Sequence, residues 1–313
     1  LTVDGGTIKL DGNYPTGTAN VALGDTALDS VEAGGTDNVA IGDHAGTAIT
    51  TGDKNIAIGS CSLQSNTTAG ENVAIGQQAL QCNVTGIHNT GIGAGALLKN
   101  TDCRNVAIGY HSLLCNTSGE SNTAIGYNSL DANTTADNNT AVGKDSLSAN
   151  TTGCFNTALG TSTLLVNQTG ICNVAIGTSA LRCNTASNNI AVGVQPLYYN
   201  TSGTNNTALG TKALFCNTTG GYNTAIGSEA LCSNTTGNTN VAVGRQALKS
   251  NTEGTRNTAV GLQAGLNTTT GDDNTAIGAC ALNNNTTGTL NTAVGSSALR
   301  DNTTGAFNVA MGC

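Results

Sequence analysis

NTALGTKALFCNTTGGY, residues Asn206 to Tyr222, is followed at once by NTAIGSEALCSNTTGNT, Asn223 to Thr239, and then by NVAVGRQALKSNTEGTR, Asn240 to Arg256. One seventeen-residue phrase is written three times over with its Asn, Ala, Gly and Leu positions held, and a short period of this kind sets the architecture before any single residue does. The chain is a repeat protein.

Outward from this stretch the opening Asn recurs from Asn20 to Asn308, with spacings of 17 apart from one 18 and two of 16. Numbering the places of a unit from that Asn, the consensus reads Asn, Thr/Val, Ala, Ile/Val/Leu, Gly, two variable residues, Ala/Ser, Leu, two variable residues, Asn-Thr-Thr-Gly and two more variable residues. Both 16-residue units have lost a residue after the second Asn, so length varies at one corner, as at a solvent-facing loop.

Seventeen residues leave no room for an ordinary helix plus a strand. Asn, Gly and Thr suit helix interiors poorly, whereas Thr/Val and Ile/Val favour a pleated strand. The expected fold is therefore all-β: a parallel β-solenoid, or β-roll, with about eighteen rungs and two short strands per rung. Residues 1–19 are out of register and are expected to be a lead-in or N-terminal cap, with short strands at Thr2-Val3 and Thr7 to Leu10 around the turn Asp4-Gly5-Gly6, before Pro15. Residues 20–313 form the solenoid, which stops within a unit and so reads as a fragment of a longer fibre.

Side chains alternate sides along a strand. Places two and four share one face, and the Ala and Gly of places three and five share the other. The branched face is expected to fill the interior with the Leu of place nine: Ile58, Leu63, Ile75, Leu80, Ile108, Leu113, Ile125, Leu130, Val142, Leu147, Ile176, Leu181, Leu209, Leu214, Ile226 and Leu231. Ala fills place three in seventeen of the eighteen units, giving a smooth face that could receive a second sheet. The opening Asn, as at Asn72, Asn89, Asn105, Asn122, Asn139, Asn156, Asn206, Asn223 and Asn240, is expected at a corner, stacked into an amide ladder.

Composition agrees with a thin, layered interior: 42 Gly, three Phe, one Met and no Trp. The formal net charge is −8, from 11 basic and 19 acidic residues without runs. Phosphate recognition needs clustered Lys and Arg, so nucleic acid is not an expected partner. No apolar run approaches the ~20 residues of a membrane helix.

Asn-x-Ala-Ile/Val-Gly followed by Ala/Ser resembles the head repeats of YadA-type trimeric autotransporter adhesins. The longer unit with Asn-Thr-Thr-Gly and the lead-in LTVDGGTIKLDG look more like the repeat regions of bacteriophage tail-fibre and structural proteins. The adhesin resemblance implies a left-handed roll and a homotrimer, although the period of 17 is longer than the adhesin's. Together the two resemblances imply a virion, extracellular or cell-surface location.

Candidate sites are few. Of the eleven cysteines, Cys154 with Cys172, and Cys216 with Cys232, lie on neighbouring rungs and could form disulfides; the alternative is free thiols acting as small apolar fillers. His44, His88 and His111 sit at variable places of different rungs and cannot meet, and no Ser, Thr or carboxylate recurs beside them as nucleophilic catalysis requires. No enzyme, cofactor or metal site is expected, and the Asp272-Asp273 pair is expected to be a solvated corner. Asn-Thr-Thr, as at Asn66, Asn133, Asn150, Asn217, Asn234, Asn285 and Asn302, fits the N-glycosylation pattern, with a turn-forming Asn as the alternative. The expected function is a rigid fibre segment of a viral tail or surface fibre, its outward variable places able to meet a host glycan or protein. The alternatives are a bacterial trimeric adhesin head and, from another class, an ice-binding protein.

Overall fold

The computed structural model of the chain describes Ile8–Lys9 and residues 17–312. It is a parallel β-solenoid with no helix among the described residues, turning once in about 17 residues. Two compact units divide it, Leu1–Phe155 and Asn156–Cys313. The first carries eight three-residue strands, from Val21–Leu23 to Thr140–Val142. The second carries ten, from Thr157–Leu159 to Val309–Met311.

Within each unit consecutive strands pair in parallel and in register, Ala on Ala: Ala22 faces Ala40, and Ala225 faces Ala242. Main-chain bonds run from rung to rung, as in Val241 N to Asn257 O at 2.8 Å and Gly244 N to Ile226 O at 2.7 Å. Strand β1 (Ile8–Lys9) pairs antiparallel with strand β2 (Val21–Leu23), matching Ile8 to Leu23. The expected strand at Thr2-Val3, the turn at Asp4 to Gly6 and Pro15 lie outside the described residues.

Each rung holds one strand, not two. The Leu of place nine sits in a run of turns, because places seven and nine adopt left-handed backbone: Glu229 has φ 59° and Leu231 φ 51°. A strand needs extended φ at successive residues, so alternating left-handed residues forbid one while still pointing amides along the axis. Leu231 N accordingly donates to Ala247 O at 3.0 Å, and Ser233 N to Lys249 O at 2.9 Å. Ala230 N closes a turn onto Gly227 O at 3.2 Å, with the positive φ at its third residue that a type II turn demands.

Left-handed backbone also recurs at place seventeen, where a β-branched side chain is strained. Thr239 has φ 58° there, whereas Asn205, at the same place and angle, is of a type that tolerates it. Thr239→Asn is therefore expected to stabilise the protein by about 0.5–1 kcal/mol, seen as a raised urea midpoint.

The strand faces are the reverse of the sequence expectation. Ala of place three is buried throughout the interior rungs, whereas Ile58, Ile75, Ile125 and Val142 are only half-buried and Ile108, Ile176, Leu209 and Ile226 are exposed, Leu209 by 44%. The physical reason is width. At Gly91, which stands where other units have Ala, an added Cβ would meet Leu80 Cγ at 3.4 Å and Ala96 O at 3.2 Å. A methyl group fits between strand and Leu; a branched side chain does not. The Leu residues fill what remains: Leu63, Leu80, Leu113, Leu130, Leu147, Leu181, Leu214 and Leu231 are all fully buried.

The rest of the interior is amide. Asn72, Asn89, Asn105, Asn122, Asn139, Asn156, Asn206, Asn223 and Asn240 are all buried, and so are most place-twelve Asn. In the first series, within each unit, Oδ1 accepts the backbone N–H of the next Asn, as Asn240 N to Asn223 Oδ1 at 2.9 Å, while Nδ2 donates to a corner carbonyl of its own rung, usually that of Gly, as Asn223 Nδ2 to Gly237 O at 2.8 Å. In the second, Asn234 Nδ2 reaches both Asn217 Oδ1 at 2.8 Å and Gly237 O at 3.0 Å. Buried amides are tolerable only when hydrogen-bonded, and the repeat supplies most of the partners. Where it is irregular one is lost, since Asn83, followed by a 16-residue unit, and Asn251, followed by Thr268 at the Asn place, each keep a buried Oδ1 that accepts no bond.

Candidate functional site

Because Ala, Leu and Asn consume the interior, side chains free to meet another molecule come from the strand face and the variable places. The histidines occupy separate surroundings. His44 Nδ1 lies 2.7 Å from Asp43 Oδ1, His88 Nε2 lies 2.8 Å from Glu71 Oε2, and His111 stacks on Tyr110 with ring centres 3.7 Å apart. His88 and Glu71 line a shallow groove of about 240 Å³ with Asp53, Lys54 and Ile87, where Lys54 pairs with Glu71 at 3.6 Å. Asp53 is already engaged, its Oδ1 accepting the Thr36 backbone N–H at 2.9 Å. Thr51 and Thr68 complete its polar lining.

The ten described cysteines are free thiols, so neither Cys154 and Cys172 nor Cys216 and Cys232 form a disulfide. Cys154 Sγ accepts the Asp137 backbone N–H at 3.3 Å. Cys216 and Cys232 meet through main chain, Cys216 N to Cys232 O at 2.9 Å, and burial pushes both thiols above their ordinary pKa. Cys313 lies outside the described residues. No group of three or more His, Cys, Asp or Glu able to hold a metal occurs among the described residues.

At the Asp272-Asp273 corner both carboxylates have partners. Asp272 Oδ1 accepts from Thr255 N at 2.6 Å, and Asp273 takes Arg256 in a two-pronged pair at 2.6 and 2.7 Å, which holds its carboxyl below the usual range. A salt bridge this exposed contributes little to stability.

Asn66, Asn133, Asn150, Asn217, Asn234 and Asn285 of the Asn-Thr-Thr triplets are fully buried. Each Nδ2 that a glycosyltransferase would attack already donates inward, as Asn217 Nδ2 to Gly220 O at 2.9 Å. Folded chain incubated with purified oligosaccharyltransferase and a lipid-linked oligosaccharide is expected to gain no N-glycan at these six positions, whereas denatured chain is expected to gain some; mass spectrometry of both products checks this.

Sequence reasoning passed over the aromatic residues, although the period marks them. Tyr110 and Tyr127 are 17 apart, as are Tyr198 and Phe215. Tyr110 and Tyr127 stack at 5.4 Å and 14°, with Lys144 Nζ 5.9 Å from the Tyr127 ring centre. Lys144 also lies 3.7 Å from Asp145, and nearby Asp131 has its carboxyl pushed up by burial and, further, by Asp145. This first cluster is half acidic.

Across places two and four an apolar face runs along each unit; in the second it includes Ile176, Ile190, Leu209, Ile226, Val241, Val260 and Ile277, all at least 36% exposed. No helix among the described residues is long and apolar enough to cross a membrane. No protein-family model matches the chain, and a search of curated proteins finds no match.

Proposed function

We propose that the chain is a structural fibre segment, a rigid spacer in a viral tail or surface fibre outside the cell, that associates laterally with copies of itself. The observation that carries this reading is the doubled ladder: within each unit consecutive rungs are tied by main-chain bonds and, at most rungs, by two series of buried Asn amides. Such a stack gains length without needing a wider core, and each rung depends only on its neighbours. Stiffness along the axis follows from it.

The outward strand face supports self-association. In the second unit ten strands at ~4.8 Å spacing and three residues wide make roughly 500 Å² of flat surface. Two such faces together approach about 1,000 Å², the lower bound of a specific interface. A second copy has the same rung spacing, so its ridges meet these grooves in register, and the homotrimer of the adhesin resemblance is one closed form of that contact. Sedimentation with light scattering tests the proposal: an elongated particle at a multiple of 31.0 kDa is expected, and a compact monomer would contradict it. Leu209→Lys with Ile226→Lys is expected to shift the particle to monomer with its melting temperature lowered by only a few degrees.

The adhesin alternative shares this geometry and differs in what the fibre is anchored to. Ice binding is disfavoured, since place two mixes Thr with Val and Ile, and the Thr hydroxyls of place thirteen donate along the stack, as Thr218 Oγ1 to Thr235 O at 3.1 Å.

A further inference from the structure

Five side chains from three consecutive rungs meet on the outer surface of the second unit: Arg182, Tyr198, Tyr199, Lys212 and Phe215. Tyr198 and Phe215 stack at 5.4 Å and 30°. Arg182 lies over the Tyr198 ring at 5.6 Å, and Lys212 over the Phe215 ring at 5.5 Å. Tyr199 stands across this pair, at 72° and 4.7 Å to Tyr198 and at 79° and 5.2 Å to Phe215. Tyr199 is nevertheless 46% exposed, so part of its ring is open to water.

The charge around this ring is mainly cationic: Glu229, at Lys212's place on the next rung, is engaged by Lys249 at 2.7 Å and by Gln246 at 2.9 Å. Although the chain carries a net −8, no Asp or Glu occurs between Asp145 and Glu229, and Arg182 and Lys212 are the only charged side chains in that stretch. Both lie in this one cluster. The Tyr110–Tyr127 stack, by contrast, has Asp131 and Asp145 beside it and its lysine already paired.

We propose that the exposed ring of Tyr199, with Arg182 and Lys212 in the same cluster, is a binding site for an acidic saccharide. The electron-rich face of a phenol ring attracts the polarised C–H groups on the apolar side of a pyranose. A guanidinium and an ammonium at opposite ends of the ring cluster offer charge-assisted hydrogen bonds to the sugar's carboxylate. Nucleic acid would also stack on Tyr199, but two cations neutralise too few phosphates to hold it on an acidic chain. The site goes beyond the proposed spacer role and rests on it only in that the variable places of the fibre project outward.

The test titrates the full chain by isothermal calorimetry with a galacturonic acid hexamer, 3′-sialyllactose, and the neutral maltohexaose and lactose. Binding of at least one acidic sugar is expected, and which of the two binds separates a uronate source from a sialate source. Tyr199→Ala is expected to weaken it tenfold or more, and Arg182→Gln with Lys212→Gln likewise, while circular dichroism stays unchanged. No binding of either acidic sugar, equal binding of the neutral sugars, or wild-type affinity in folded Tyr199→Ala would each overturn the site. Sedimentation of the same samples keeps the readings apart: a rod that binds no sugar overturns the site alone, and a compact monomer overturns the fibre.

Discussion

Asn223→Ala is expected to destabilise the second unit by about 3 kcal/mol, more than an ordinary surface change by several fold. The side chain accepts from Asn240 N at 2.9 Å and Asn240 Nδ2 at 3.2 Å, and donates to Gly237 O at 2.8 Å. Gly237 O keeps a second donor, Asn234 Nδ2 at 3.0 Å, and Asn240 Nδ2 keeps Gly254 O at 2.8 Å. The Asn240 N–H keeps nothing. It is left buried and unpaired, a penalty of about 1–3 kcal/mol beyond the lost bonds. Thr224→Ala, one residue along on the outward face, is expected to change stability by under about 1 kcal/mol. Urea denaturation of both variants checks the contrast, and equal midpoints would remove the Asn ladder from the account.

A larger effect is expected at place five. Gly227 has φ 132°, a backbone angle reserved in practice for glycine, and a Cβ there would lie 2.6 Å from both the carbonyl carbon and oxygen of Gly244. The atoms in the way are main chain, so no side chain can swing aside. Gly227→Ala combines backbone strain with overpacking and is expected to lose about 3–5 kcal/mol. The rung should open locally, because neighbouring rungs hold themselves together. Hydrogen exchange would then show fast amides around Gly227 and Gly244 and protected ones several rungs away. At Gly34 the nearest atom to an added Cβ is the Thr51 methyl at 3.3 Å and φ is not positive, so Gly34→Ala should be tolerated.

These two residues also show how far the sequence reaches. The period of 17 was enough to stack the rungs, since a unit with two Asn, one Leu and a Gly at fixed spacing can close only on a copy of itself. Alternation along Thr224-Ala225-Ile226 divides the strand into two faces, yet it carries no sign saying which is inside. Hydrophobicity pointed to Ile226; the narrow gap beside Leu231 admits only the Ala225 methyl. The missing second strand has a similar origin: Leu231 is apolar enough for a strand, but its φ of 51° follows from turn closure on both sides of it. Tyr198, Tyr199 and Phe215 were legible in principle, because their spacing matches the period, but ring orientation and the cations over them depend on coordinates.

The strand orientation underlies the core, the apolar outer face and the proposed lateral contact alike. Solvent paramagnetic relaxation of methyl-labelled Ala in the intact chain, read with a soluble gadolinium chelate, tests it without any substitution. The Ala methyls of place three, Ala225 and Ala242 among them, are predicted to be as shielded as the methyls of Leu231 and Leu248. Ala methyls relaxed as strongly as those of exposed residues, beside shielded Ile226, would contradict the account.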